Sequence, residues 1–191
     1  MSIENHGHLH ILTAEEFRAL ARPTSTHLET DIIDAYINEC EDVYIIPAIG
    51  TTLFGELATY VEARQNATEQ NPVEPVEQYD NLLDGNEYTP TIGCGCDGAR
   101  LNYGLRKALS YFTYGKMMLD DGLTLTRSGN IQHLDEYGAR MAQQQRINRY
   151  NDVINTAKMY LDSVLQYIKC EINPCQPKVH QNNTRIKAIG D

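Results

Sequence analysis

No stretch of the chain approaches the ~18 consecutive apolar residues that a membrane-spanning helix needs, and the N-terminus lacks the basic-then-apolar order of a secretion signal. The expectation is a soluble product of a reducing cytoplasm with no membrane contact. Also missing are the short patterns that place a nucleophile, base or metal: there is no G-x-S-x-G, H-E-x-x-H, E-x-x-H or G-x-x-x-x-G-K-[ST]. Gly50 and Gly55 share the P-loop glycine spacing, but Glu56 stands where the lysine belongs, and a carboxylate there repels phosphate. Neither an enzyme nor a bound cofactor is expected.

Positive charge is scarce in the front half. Residues 1–98 hold 3 Lys and Arg against 18 Asp and Glu, a net of −15, whereas residues 99–191 hold 13 against 8, a net of +5. A subunit divided in this way suits head-to-tail association with copies of itself better than it suits a phosphate backbone. A length of 191 residues allows one good core plus extended arms, not two comfortable domains.

What is present is helical periodicity. Residues 1–12 read as an N-terminal arm and 13–169 as a helical domain. Thr13 and Glu16 form a capping box that opens a short helix ending before Pro23. Thr26 and Glu29 repeat the device ahead of a helix whose inner face reads Leu28, Ile32, Tyr36, Cys40 and Val43, with Glu29, Asp34, Glu39, Glu41 and Asp42 turned to water or a basic partner. Pro47 and Gly50 interrupt the chain, and a third helix follows on Leu53, Phe54, Leu57, Tyr60 and Val61. After a polar loop from Gln65 to Pro75, a short helix carries Val76, Tyr79, Leu82 and Leu83 and ends at Gly85.

An irregular stretch from Glu87 to Gly98 leads to Ala99–Leu119, which is apolar on nearly every side. It is expected to be the central helix of an all-α, multi-helix bundle. Around Ser128-Gly129, in a region of about 120–134, apolar and polar residues alternate as in a small hairpin or tongue. A last long helix runs from about Asp135 to Lys169. Its second half has a core face (Ile154, Ala157, Leu161, Val164, Leu165, Ile168), while its first half is polar and basic nearly all round at Arg140, Gln143, Gln144, Gln145, Arg146 and Arg149. Residues 170–191 form an extended tail with a basic cluster at Lys178, Arg185 and Lys187. Alone it has too little to bury to hold a fold.

Two patterns invite chemistry. Gly93-Cys94-Gly95-Cys96-Asp97-Gly98 matches G-x-G-x-x-G, but Pro90 interrupts the candidate strand before it and no second strand follows, so dinucleotide binding is not expected. The histidines at 6, 8 and 10 alternate without an acidic or Cys neighbour to complete a metal site. Cys94, Cys96, Cys170 and Cys175 form an alternative four-sulfur zinc set, with spacings unlike those of common zinc modules; free thiols are expected, and disulfides are not.

The order of elements resembles the head-tail connector (adaptor, or ring) proteins of tailed phages, most closely those of crAss-like and related gut phages. The residues that carry the resemblance are Ile45-Ile46-Pro47-Ala48-Ile49-Gly50 with Leu53 and Leu57; Gly104 to Tyr111; Leu125 to Ile131; and Tyr160-Leu161 to Tyr167-Ile168, over about residues 28–168. The resemblance implies a helical subunit repeated as a ring, usually twelvefold, beneath the portal at the capsid vertex, where it continues the DNA channel and docks the tail. DNA would pass without specific contact, through a wall whose net acidity keeps it from sticking.

On this expectation Arg140, Arg146 and Arg149 meet the acidic front of the adjacent copy, while the tongue around Arg127 and the tail around Lys178, Arg185 and Lys187 reach the portal or a neighbouring ring or tail protein. The polypeptide would be assembled in the host cytoplasm and end in the virion. The competing readings are an acidic helical protein that sequesters a host factor, and a zinc-stapled or enzymatic domain.

Overall fold

A computed structural model describes residues 9–22, 29–68, 72–90, 98–120, 123–126, 129–132 and 143–172. The described chain is mostly helical, with two small antiparallel ribbons. The first helix, α1 (Ala14–Leu20), is opened by the expected capping box: the Glu16 amide donates to Thr13 Oγ1 at 3.2 Å and the Thr13 amide donates to Glu16 Oε2 at 2.9 Å.

Helix α2 (Thr30–Cys40) runs directly into a π-helical turn, π1 (Glu41–Ile45). Its buried face is Ile33, Ile37 and Cys40, continued by Tyr44 and Ile45, and not the Ile32–Tyr36–Val43 face expected from the sequence. Adjacent Ile32 and Ile33 offer two registers about 100° apart, and Ile37, one turn beyond Ile33, favours the second. The i→i+5 turn then takes up an extra residue and rotates Glu41 and Tyr44 inward. Glu29 caps α2 without a side-chain hydrogen bond, and Thr26 lies outside the described residues.

A single turn, α3 (Ile46–Ile49), ends at Gly50 and leads into α4 (Thr51–Gln65), which buries Phe54, Leu57, Tyr60 and Val61 as expected, together with Ala58, and leaves Leu53 half-buried. Helix α5 (Glu77–Asp84) buries Leu82 and Leu83 and ends at Gly85. There the sequence reading needs correction. Residues Arg100–Asn102, placed by periodicity in a helix, form strand β2, which pairs with β1 (Asn86–Tyr88) in the register Asn86↔Asn102, Glu87↔Leu101 and Tyr88↔Arg100.

Helix α6 therefore starts only at Leu105 and runs to Asp120. Two features hold its start. Buried Asn102 donates from Nδ2 to the Asn81 carbonyl at 2.6 Å and to Asn86 Oδ1 at 3.2 Å, and its Oδ1 accepts the Gly104 amide at 3.1 Å. Gly85 (φ +87°) and Gly104 (φ +82°) also pass backbone to backbone; a Cβ on Gly104 would sit 2.6 Å from the Leu83 carbonyl oxygen, and one on Gly85 would overlap the Asn102 carbonyl.

Helix α6 packs against α1, α2, α5, π1 and the last helix, α7 (Gln143–Tyr167). Leu105, Ala108, Leu109 and Phe112 are buried, and the Phe112 ring stacks on Tyr44 at 4.2 Å and 8°. Gly115 lets α7 come close, since a Cβ there would lie 3.0 Å from the Ile154 Cδ1 atom. Along α7 the buried residues are Tyr150, Val153, Ile154, Ala157, Leu161, Val164 and Tyr167, and a second π turn, π2 (Ile168–Ile172), adds Ile168 and Cys170. Strands β3 (Leu123–Thr126) and β4 (Gly129–Gln132) pair antiparallel, from Leu123↔Gln132 to Thr126↔Gly129. None of the described helices is long and apolar enough to cross a membrane.

The glycine crossing yields a direct test. Gly104→Ala should destabilise the protein by ~3 kcal/mol or more in urea unfolding, because left-handed strain adds to a backbone overlap, whereas Gly50→Ala, with positive φ but open space around it, should cost ~1 kcal/mol.

Candidate assembly surface

Helix α7 changes character along its length. From Tyr150 onward it is anchored in the core, but Gln144, Gln145, Asn148 and Arg149 are exposed and Arg146 is half-buried. Gln144 Nε2 donates to Asn148 Oδ1 at 3.1 Å, one turn on, which stiffens this polar start. Of the basic residues expected to form a contact surface, the structure brings together Arg146 and Arg149 on this segment. Arg127, Arg140, Lys178, Arg185 and Lys187 lie outside the described residues.

Several basic groups within the body are ion-paired. Arg64 meets Asp80 at 2.6 Å, Lys116 meets Glu39 at 2.6 Å and Arg22 meets Asp152 at 3.0 Å. These pairs are largely solvated, and each contributes ~1 kcal/mol or less. They organise the surface more than they stabilise it, and they leave Asp31, Glu56, Glu62 and Glu87 on exposed positions of the acidic half.

Glu41 is the largest departure from the sequence reading. Placed there among the solvent-facing acids, it is fully buried, because the π turn points it into the body. Its Oε1 accepts the Ile11 amide at 2.9 Å and its Oε2 meets His10 Nδ1 at 2.7 Å. The neighbouring Ile11 carbonyl accepts from Arg106 Nε at 2.9 Å, and the same guanidinium reaches Glu16 Oε1 at 3.1 Å and Asp84 Oδ1 at 3.0 Å.

Residues 9–12, read from the sequence as the end of an arm, are thus clamped between a carboxylate and a guanidinium, with Ile11 and Leu12 buried. The signal that sequence reasoning missed was the Ile11-Leu12 pair directly before the capping box, which can seat α1 only by going inside. The hydrogen bond to Glu41 raises the pKa of His10 above its ordinary 6.5; burial opposes this, and Asp34 and Asp42 add to it.

A family model matches residues 45–174, about two thirds of the chain. The chain belongs to the family of unknown function DUF6712. No curated protein and no solved structure matches it. The DUF6712 region takes in Ile45, α3 to α7 and both ribbons, and stops just past π2. The Glu41 clamp, α1 and α2 lie ahead of it, so in this member the matched region is closed by a preceding helix pair.

The cysteines of this DUF6712 chain also need correction. Cys170, expected as a free thiol or as one of four zinc ligands with Cys94, Cys96 and Cys175, is disulfide-bonded, and its sulfur is not available to a metal. Cys94, Cys96 and Cys175 lie outside the described residues. Cys40 is free and buried, and burial pushes its thiol up to about 12, which makes it a packing residue and not a nucleophile. Among the described residues no three His, Cys, Asp or Glu side chains gather as a metal site. An open groove of about 420 Å³ lies between Leu20, the α5–β1 turn and the β2–α6 turn. At its edge the Lys107 ammonium sits 5.3 Å from the Tyr103 ring and 5.0 Å from Tyr160, held by their π faces.

Because the folded-state pKa of His10 is raised, its contribution to stability is complete below pH 6.5 and is lost as pH climbs through the raised value. The wild-type melting temperature should therefore fall between about pH 6 and about pH 9 relative to His10→Asn, whose asparagine does not titrate. Equal profiles for the two proteins would show that the latch contributes nothing.

Proposed function

We propose that this DUF6712 chain is a structural virion protein whose copies close into a ring at the portal vertex, joining portal to tail and continuing the DNA channel. The observation that carries the reading is the polar, basic start of α7, exposed at Gln144, Gln145, Asn148 and Arg149 and half-buried at Arg146, on a chain whose front half is strongly acidic. A basic surface that meets an acidic one on the next copy makes a heterologous contact, and such contacts close into rings when the rotation per subunit allows.

The subunit's build supports the same reading. In it α6, none of whose residues is fully exposed, serves as the central apolar helix, and β3–β4 is the tongue that reaches the portal or the next ring. The inert Cys40 and the body's paired charges fit a protein that works by shape and repeated contact, without catalysis or a cofactor. The working ring is twelvefold, its neighbours are the portal and adjacent ring or tail proteins, and DNA passes through without sequence-specific contact. Assembly takes place in the host cytoplasm.

Arg146→Glu with Arg149→Glu should abolish ring formation, scored by electron microscopy and mass photometry, while the far-ultraviolet circular dichroism stays unchanged. Unaltered rings would remove the start of α7 from the interface. A wild-type protein that stays monomeric even with its portal would favour the acidic sequestering protein instead.

A further inference from the structure

The reversed face of α2 leaves something unexplained on the outside. Ile32, Ala35, Glu39 and Val43 follow one another at steps of three, four and four residues along α2 and π1, so they share one side, and all are exposed. Ile32 and Val43 are 44% and 48% exposed, two of the few large apolar side chains among the described residues left so open. Asp31 and Asp42 flank them, also exposed. Glu39 on this side is already paired with Lys116, and the apolar Ile32, Ala35 and Val43 around it, with Asp31 and Asp42 beside them, suit a segment that brings both apolar and basic side chains.

This chain contains such a segment. The tail from residue 173 to 191 carries Lys178, Val179, Arg185, Ile186, Lys187 and Ile189. We infer that the stripe on α2 and π1 is the docking site for the C-terminal tail of a second copy, with Ile186 and Ile189 on Ile32 and Val43 and with Arg185 and Lys187 beside the acids. The inference rests on the proposed homo-oligomer and names its acidic surface.

The proposed homo-oligomer is what selects a neighbouring chain over the same one. The start of α7 lies beside π1, where Tyr150 is in hydrogen-bonding contact with Tyr44. The other end lies at the β1–β2 ribbon, where Tyr167 packs edge-on against Tyr88 with ring centroids 5.0 Å apart. Tyr150 and Tyr167 are separated by ~25 Å at ~1.5 Å per helical residue. Residue 173 thus follows the end of α7 remote from π1, a distance that a 19-residue segment can span within one chain or between two, and mixing the variants below tells these apart.

The test uses two full-length variants. One carries Asp31→Lys and Ala35→Lys on the stripe, the other Arg185→Glu and Lys187→Glu on the tail. Each alone should require at least ~10-fold more protein to assemble, read by mass photometry at fixed salt, since each sets like charge against like. Mixed together they should assemble at near the wild-type concentration, because each chain then offers what the other needs. Pairing of a tail with its own stripe cannot be repaired by mixing, so failure to rescue overturns the inference.

Variants that assemble as readily as the wild type also overturn it and leave the ring reading standing, whereas a monomeric wild type ends both. Should the stripe variant misfold by circular dichroism, the tail variant, altered outside the packed body, is mixed with Val43→Lys in its place, with the same readings.

Discussion

A carboxylate with no contact to water is the constraint around which the front of this protein is organised. Burying Glu41 is tolerable only because both of its oxygens find donors, the Ile11 amide and the His10 ring. Those donors come from a segment thirty residues earlier, so the N-terminal strand of chain must be in place before the π turn can stand as it does. Arg106 completes the arrangement from the other side by taking the Ile11 carbonyl and two acids at once. Helices α1, α2 and α6 and the end of α5 are thereby tied to a few atoms at one point.

The same turn sets the outer surface. Bringing Glu41 and Tyr44 inward rotates Val43 outward, and the Ile33–Ile37 register does the same to Ile32. The polypeptide thus gains a well-seated interior and an apolar stripe with acids on its exterior. At the start of α7 the balance runs the other way: glutamine, asparagine and arginine cover the first turns, and the core begins at Tyr150.

Membership of DUF6712 describes the helical body from Ile45 onward, and the acidic stripe belongs almost wholly to the part ahead of it. The body supplies the part shared with the family, while the preceding helices carry the surface on which the proposed contact between copies rests. Cys170, disulfide-bonded and buried, lies in π2 close to the buried Tyr167 and Ile168.

Local patterns carried the capping box at Thr13, most of the inner face of α4, Leu82 and Leu83 of α5 but not the exposed Val76, the stop at Gly85, the β3–β4 hairpin and the two-part character of α7, because each depends on neighbours within a few residues. Of the candidate surface, the polar and basic character of the first turns of α7 was legible for the same reason, whereas the half-burial of Arg146 and Ile147 was not. What only the tertiary structure decided were matters of competition between distant residues. Ile32 and Ile33 are equally apolar, and packing against α6 chose between them. Asn102 and Gly104 broke a helical period because Asn81, Asn86 and Gly85 offered them better partners from another element. The burial of Glu41 depended on His10 and Ile11 arriving from far along the chain, and no window of sequence around Glu41 contains them.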